Sequence, residues 1–208
     1  MNTTSKEHLK LVGAARDLFM RIGIRSVSMD DIARELGISK KTLYQTVPNK
    51  EELVQLVLRV EIEEDVRMLE RNRVESTDAI EELLRNSRYF VRQMRKVSPT
   101  TMHDLRKYYP EIFHNQVEAH QHHFLHQVEE NLRRGKAEGL YREDIDPEVI
   151  ANLYVGMTMM VVDRGIFPAQ DRPLSDILWQ HSTYHFFGIV NQAGRDRLND
   201  YLQEEELC

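Results

Sequence analysis

With 208 residues, 41% of them hydrophobic and 30% charged, the chain can bury a sizeable core and carries too many apolar side chains for a disordered acidic segment. The longest near-apolar run, Leu153 to Val162, stops at Asp163 well short of a bilayer span, and residues 1–10 hold no apolar leader core, so a cytoplasmic location is expected. The net charge is −6, and the one cysteine, Cys208, is the last residue, which leaves no pair for an internal disulfide and no cysteine-built metal site.

The chain opens with a predicted helix over residues 6–22. Leu11, Ala15, Leu18 and Ile22 recur at helical spacing, Phe19 widens the stripe and Gly23 stops it. Ser28 then starts a second helix, since its hydroxyl can accept from first-turn backbone N–H groups, and Asp30 and Asp31 sit at the positive end of the helix dipole. Ile32, Ala33 and Leu36 form the buried stripe of this helix. Gly37 ends it, because glycine takes a left-handed backbone without steric cost. Ser39 caps a third helix over residues 40–46, too short and polar to stand alone; it packs by Leu43 and projects Lys40, Lys41, Thr42, Tyr44 and Gln45 elsewhere. Pro48 closes that helix, and Asn49 caps the next with Glu52 three residues on. Two short helices joined by a tight turn between Ser28 and Lys50 read as a helix-turn-helix.

Charge supports that reading. Residues 1–50 hold nine Lys or Arg against five Asp or Glu, and the remaining residues hold nineteen against twenty-nine. A basic head on an acidic body is the footprint of a chain whose one end meets DNA. Lys41, Thr42, Tyr44 and Gln45 are expected to face the duplex, with the Gln45 amide suited to an adenine edge, while Ser28, Lys40 and Lys50 hold phosphates.

From Asn49 a long helix is predicted to about Val74, with an exposed charged second half whose pairs are each worth only ~0.2–0.5 kcal/mol. Ser76 or Thr77 should cap the following helix, which runs to about Val97; Ser98-Pro99 breaks the chain. A short helix over 100–109 and a long one over 111–136 follow, then an Asp146-Pro147 start leads a helix to about Gly165. Pro168 and Pro173 bracket a loop before a last apolar helix over 174–191, and the polar tail from Gln192 reads as a short or frayed helix. The helices around Tyr154–Val161 and Ile177–Val190 are apolar over more circumference than one core face needs, which points to a second copy of the chain, with Phe187 an outward position.

The segment IARELGISKKTLYQTVPNKEEL resembles the DNA-binding segment of the TetR family of bacterial transcriptional repressors. Family members usually carry glycine at Lys41, histidine or tyrosine at Thr46 and phenylalanine at Val47, so base contacts and the packing under the recognition helix differ here. YREDIDPEVIANLYVG and YHFFGIV are similar to the family's C-terminal landmarks. The resemblance implies an all-α fold: a three-helix DNA-binding domain over residues 1–48 and a larger helical domain over 49–208 for effector binding and dimerisation. It further implies a ligand-responsive repressor that binds a palindromic double-stranded operator as a homodimer, with the effector among the middle helices.

Tyr89, Phe90, Met94, Met102, Leu105, Tyr108, Phe113 and Val117 supply aromatic and methionine groups for such a cavity, and Tyr89, Tyr108, His103 and His120 polar partners, which suits a mostly apolar or aromatic small molecule. Each of these side chains would serve equally as ordinary core. His122 and His126 share a helix face and could hold a transition metal, but two imidazoles are an incomplete shell, so no metal and no cofactor are expected. No phosphate loop, HExxH or nucleophile elbow is present, and no enzyme activity is expected. The competing readings are a DNA-organising protein without sequence preference and a helical metal-dependent hydrolase built on that histidine pair.

Overall fold

The computed structural model describes residues 6–95, 98–161, 166–167 and 172–206; the expected helix ends at Val97 and Gly165, Pro168 of the loop and Cys208 lie outside them. Every regular element among these residues is helical: α1 (Lys6–Ile22), α2 (Met29–Leu36), α3 (Lys40–Thr46), α4 (Lys50–Glu75), α5 (Ala79–Met94), α6 (Pro99–Tyr108), α7 (Pro110–Ile112), a π-helical turn (Phe113–Val117), α8 (Glu118–Ala137), α9 (Pro147–Val161), α10 (Leu174–Ile189) and α11 (Gln192–Glu206). No described helix is long and apolar enough to cross a membrane.

The chain packs as two compact units. The first comprises residues 1–65 and 96–120, the second residues 66–95 and 121–208, with α4 contributing to both.

In the first unit the stripe expected on α1 is buried: Leu11, Ala15, Leu18 and Phe19 meet Ile32 and Ala33 of α2, Leu43 of α3 and Leu53 of α4. Ile22 is exposed instead, at the last turn of α1. Leu105 of α6 and Ile112 of α7 belong to the same core, so this unit extends beyond the first four helices.

In the second unit α5, α8, α9, α10 and α11 close around Ile80, Leu84, Leu132, Tyr154, Phe186 and Leu198. The hydroxyl of the fully buried Tyr141 lies 3.1 Å from the Ala79 carbonyl and 3.0 Å from Asn131 Oδ1, so its one proton finds an acceptor within the core.

Four local expectations are corrected. The cap of α5 is Asp78, whose Oδ1 accepts from the Glu81 N–H at 2.8 Å, and not Ser76 or Thr77. Ser76 instead belongs to the end of α4, where its hydroxyl donates to the Asn72 carbonyl at 2.5 Å. The long helix over 111–136 is interrupted by the π-helical turn, one residue wider per turn than an α-helix. The tail is neither short nor frayed: α11 has 15 residues, buries Leu198 and sends Arg197 and Tyr201 to Asp78 at 3.0 and 2.8 Å. Finally, Phe187 is half-buried beneath Arg195, whose guanidinium lies 5.4 Å from the ring centroid, so it is not an outward position.

Candidate nucleic-acid interface

Local chemistry sets the two helices of the turn. The Ser28 hydroxyl accepts from Asp31 N–H at 3.2 Å while Asp31 Oδ2 accepts from Ser28 N–H at 2.9 Å, a reciprocal cap that satisfies two first-turn donors. These hydrogen bonds from Ser28, outweighing slight desolvation, hold the Asp31 carboxyl below its ordinary range. Gly37 takes φ 66° and its N–H returns to the α2 carbonyls, which turns the chain within three residues into Ser39. Ser39 Oγ accepts from Thr42 N–H at 3.1 Å, and Leu43, fully buried, fastens α3 to the core. Val47, 4% exposed, packs in the same core at the end of α3.

With Leu43 inward, Lys40, Lys41, Thr42, Tyr44 and Gln45 are exposed together. Tyr44 leaves 42% of its surface in water, unusual for an aromatic residue in a seven-residue helix that needs all its apolar contacts. Lys40 Nζ lies 2.8 Å from Asp30, so part of its field is spent within the head, and the bond to Asp30 raises its pKa. Thr42 shares a 2.8 Å hydrogen bond with Ser39. Lys41 and Gln45 are exposed on the same face, and their side chains make no ion pair or hydrogen bond to another described residue.

Lys50 is placed differently from the others. Its ammonium donates to the Arg25 carbonyl at 3.4 Å, and burial lowers its pKa despite the nearby carboxylates of Asp104 and Asp31. Arg25 is in fact held from three sides. Its N–H donates to Asp104 Oδ2 at 2.8 Å, its carbonyl receives Lys50, and its guanidinium donates to the Tyr108 hydroxyl at 2.5 Å while lying 4.9 Å from that ring's centroid. Alongside, Thr101 Oγ1 donates to the Phe19 carbonyl at 2.8 Å. Gly23, at φ 91°, leaves room for Thr100, whose Oγ1 would be 2.6 Å from any added Cβ. Helix α6 thus grips the α1–α2 connection that delivers Ser28 to its cap. Sequence reading missed Asp104 and Arg25 because their partners lie 79 residues apart.

Residues 11–57 match the family model of the bacterial regulatory proteins of the tetR family. The match lies within the first unit and makes this segment similar to the DNA-binding part of that family. The match covers the helix-turn-helix with its supporting helices. The whole fold agrees. A transcriptional regulator from Cytophaga hutchinsonii superposes with TM-score 0.71 at 18% identity over 89% of this chain and 99% of its own. A TetR-family transcriptional regulator from Streptomyces coelicolor gives 0.65 at 21% over 87% and 94%. A transcriptional regulator from Saccharomonospora viridis in complex with choline gives 0.69 at 18% over 90% and 100%. No curated protein matches the chain significantly.

The side chains expected around an effector divide between the two units. Tyr89, Phe90 and Met94 belong to the second; Met102, His103, Leu105, Tyr108, Phe113, Val117 and His120 belong to the first. Leu105 is core in the first unit, Phe113 and Val117 pack on that core, and Met102 is half-buried while His103 is exposed. Tyr108 serves Arg25, and His120 Nε2 lies 3.4 Å from Asp65.

In the second unit Phe90 lines a small pocket of about 10 Å³ with Phe124, Tyr154, Leu83, Ser87 and Gln127 among its neighbours. Edge-on ring contacts link Tyr89 to Phe90 and Phe90 to Phe124, each at 5.3 Å. Neither Phe124 nor Tyr154 is among the side chains that sequence reading assigns to a cavity, since the sequence places Tyr154 at a subunit interface. His122 and His126 are exposed, and no group of three or more His, Cys, Asp or Glu among the described residues comes together as a metal site.

Proposed function

We propose that the chain is a ligand-responsive repressor that binds a palindromic operator as a homodimer, residues 1–48 reading DNA and residues 49–208 binding effector and partner subunit. The observation that carries the DNA role is the exposed face of α3: Lys41, Tyr44 and Gln45 stand in water on a helix fixed from behind by Leu43. Lys41 and Gln45 are the groups free to take a phosphate and a base edge, with Tyr44 beside them; Ser28 and Lys40 reach phosphates from the same head, and Lys50 keeps further N–H donors beyond the one spent on Arg25. Because a dimer matches half-sites one helical turn apart, roughly 34–36 Å or multiples of it, a ligand that favours another separation of the two heads releases the operator.

Dimerisation is supported by a stripe along α9. Val149, Leu153 and Met160 are 53%, 54% and 48% exposed, Gly156 lies between them, and Tyr184 of α10 is 74% exposed. The spacing of these α9 positions puts them on one helix face, and leaving that face in water is costly. Effector binding is supported by the aromatic cavity at Phe90, Phe124 and Tyr154.

The test is titration of an operator selected from random DNA. Lys41→Ala should weaken every sequence alike and make the salt slope shallower by about 0.9, one phosphate's share. Gln45→Ala should change the preferred base. Binding that depends on salt with no sequence preference would assign the chain to DNA organisation instead.

A further inference from the structure

The core of the second unit contains polar atoms that its packing does not explain. Ser87 of α5 and His185 of α10 are 3% and 6% exposed, yet among the described residues His185 Nε2 has no hydrogen-bond partner and Ser87 Oγ has none at full bonding distance, its nearest polar neighbour being the Tyr154 hydroxyl. His181, one turn before His185, has neither Nδ1 nor Nε2 partnered. All three surround one side chain. Tyr154 stacks on His181 at 4.7 Å between ring centroids and meets His185 at 4.1 Å with the rings tilted, its hydroxyl sits 3.4 Å from Ser182 Oγ, and it borders the pocket together with Ser87. Buried polar groups in native cores are hydrogen-bonded in the great majority, and each one left unmade costs stability that a phenylalanine or alanine would not. Three such imidazole nitrogens around one ring therefore point to a partner from outside the chain.

We propose that Ser87, His181 and His185, gathered round Tyr154, form the polar end of an effector site for a small uncharged aromatic molecule bearing a hydroxyl group. The proposal rests on the effector response argued above and narrows it to one ligand class. Burial pushes the His185 imidazole down to about 3, with His181 adding to the effect, and lowers His181 as well, so both are neutral at pH 7. A neutral imidazole offers one donor and one acceptor, and the Ser87 hydroxyl offers either, which matches a phenolic hydroxyl that both gives and takes a hydrogen bond. An ionised carboxylate or ammonium would lose its water shell and meet no opposite charge among these three groups. Phe90, Phe124 and Tyr154 supply aromatic walls for the rest of the molecule. The free space is about 10 Å³, the room of a single water, so an aromatic ligand enters by displacing lining side chains such as Phe90 and Phe124. That displacement gives the ligand different affinities for two arrangements of the unit, the condition for regulation.

The experiment compares four molecules of one shape on the full chain: p-cresol, toluene, p-toluate and 4-methylbenzylamine, each at millimolar concentration, by thermal shift and by titration of the selected operator. The expected result is that p-cresol raises Tm most and weakens operator binding, toluene raises it less, and the two ions leave it unchanged. Ser87→Ala and His181→Phe should each weaken p-cresol by about tenfold, the loss of one net hydrogen bond, while toluene binding persists. His181→Phe retains an aromatic ring against Tyr154, and the wild-type comparison needs no variant to fold. Equal shifts from toluene and p-cresol, a larger shift from p-toluate, or no shift from any of the four would overturn the proposal. Selective p-cresol binding that leaves the operator bound would uphold the site and overturn the regulatory reading on which it rests.

Discussion

Replacing Asp104 by alanine tests whether α6 holds the DNA-reading head in place. Asp104 is 6% exposed and accepts the Arg25 N–H at 2.8 Å, in a connection whose other groups are fixed by Lys50, Tyr108 and Thr101. A hydrogen bond to a charged acceptor contributes about 1.5–3 kcal/mol, and its removal also leaves a partly buried N–H unpaired, so Asp104→Ala should destabilise by about 2 kcal/mol or somewhat more. Asp104→Asn keeps an acceptor in place and should cost about 1 kcal/mol. Urea unfolding at fixed protein concentration gives both values, provided the slope with denaturant is unchanged. Because Arg25 lies three residues before the Ser28 cap, operator affinity should fall in the same order, alanine below asparagine below wild type, in a variant that touches no DNA. An Asp104→Ala protein within about 0.3 kcal/mol of wild type and with full operator affinity would refute the clamp.

Three further outcomes follow from the second unit. Asp78 accepts from Glu81, Arg197 and Tyr201; burial alone would raise its pKa, but these bonds outweigh it and hold the carboxyl below its ordinary range. Its contribution is therefore full above the unfolded-state value and lost as pH falls through the depressed one, so Asp78→Asn should destabilise at pH 7 and converge on wild type in acid, as followed by thermal unfolding against pH. The neutral His185, lowered to about 3 from 6.5, has the opposite chemistry but the same acid sensitivity: the unfolded chain binds a proton that the fold refuses. Stability should fall below pH 6.5 by up to ~1.4 kcal/mol per unit, a slope that His185→Phe reduces in urea titrations. Leu153→Glu, at the 54% exposed centre of the α9 stripe, should yield monomers by light scattering, whereas a wild-type chain that is already monomeric at micromolar concentration would remove the dimer.

The head of the molecule was legible because its signals are local. Ser28, Gly37, Ser39 and Asn49 each act within four residues, and each is found in the role that its chemistry predicts. What was not legible depends on distant partners. Asp78 takes over as the cap of α5 and receives Arg197 and Tyr201 from a tail whose own sequence, polar but for Leu198 and a few neighbours, carries no packing signal. Lys50 and Tyr108 look like a phosphate contact and a cavity tyrosine in sequence, yet both meet Arg25, 25 and 83 residues away. The cavity was half read: Phe90 was named from composition, while Tyr154 and the α10 histidines join it only through tertiary packing of α5, α9 and α10. The π-helical turn at Phe113–Val117 has no counterpart in hydrophobic periodicity, which counts residues per turn as if the helix were regular.

The central claim, that the exposed face of α3 reads an operator, is tested most directly by selecting DNA from a random pool with the wild-type and the Gln45→Ala chains in parallel. The wild type should enrich an inverted repeat with half-site centres one helical turn, roughly 34–36 Å, or multiples of it apart. Gln45→Ala should keep that spacing and change the preferred base at one position of each half-site. Failure to enrich any sequence, or the same motif from both chains, would contradict the account.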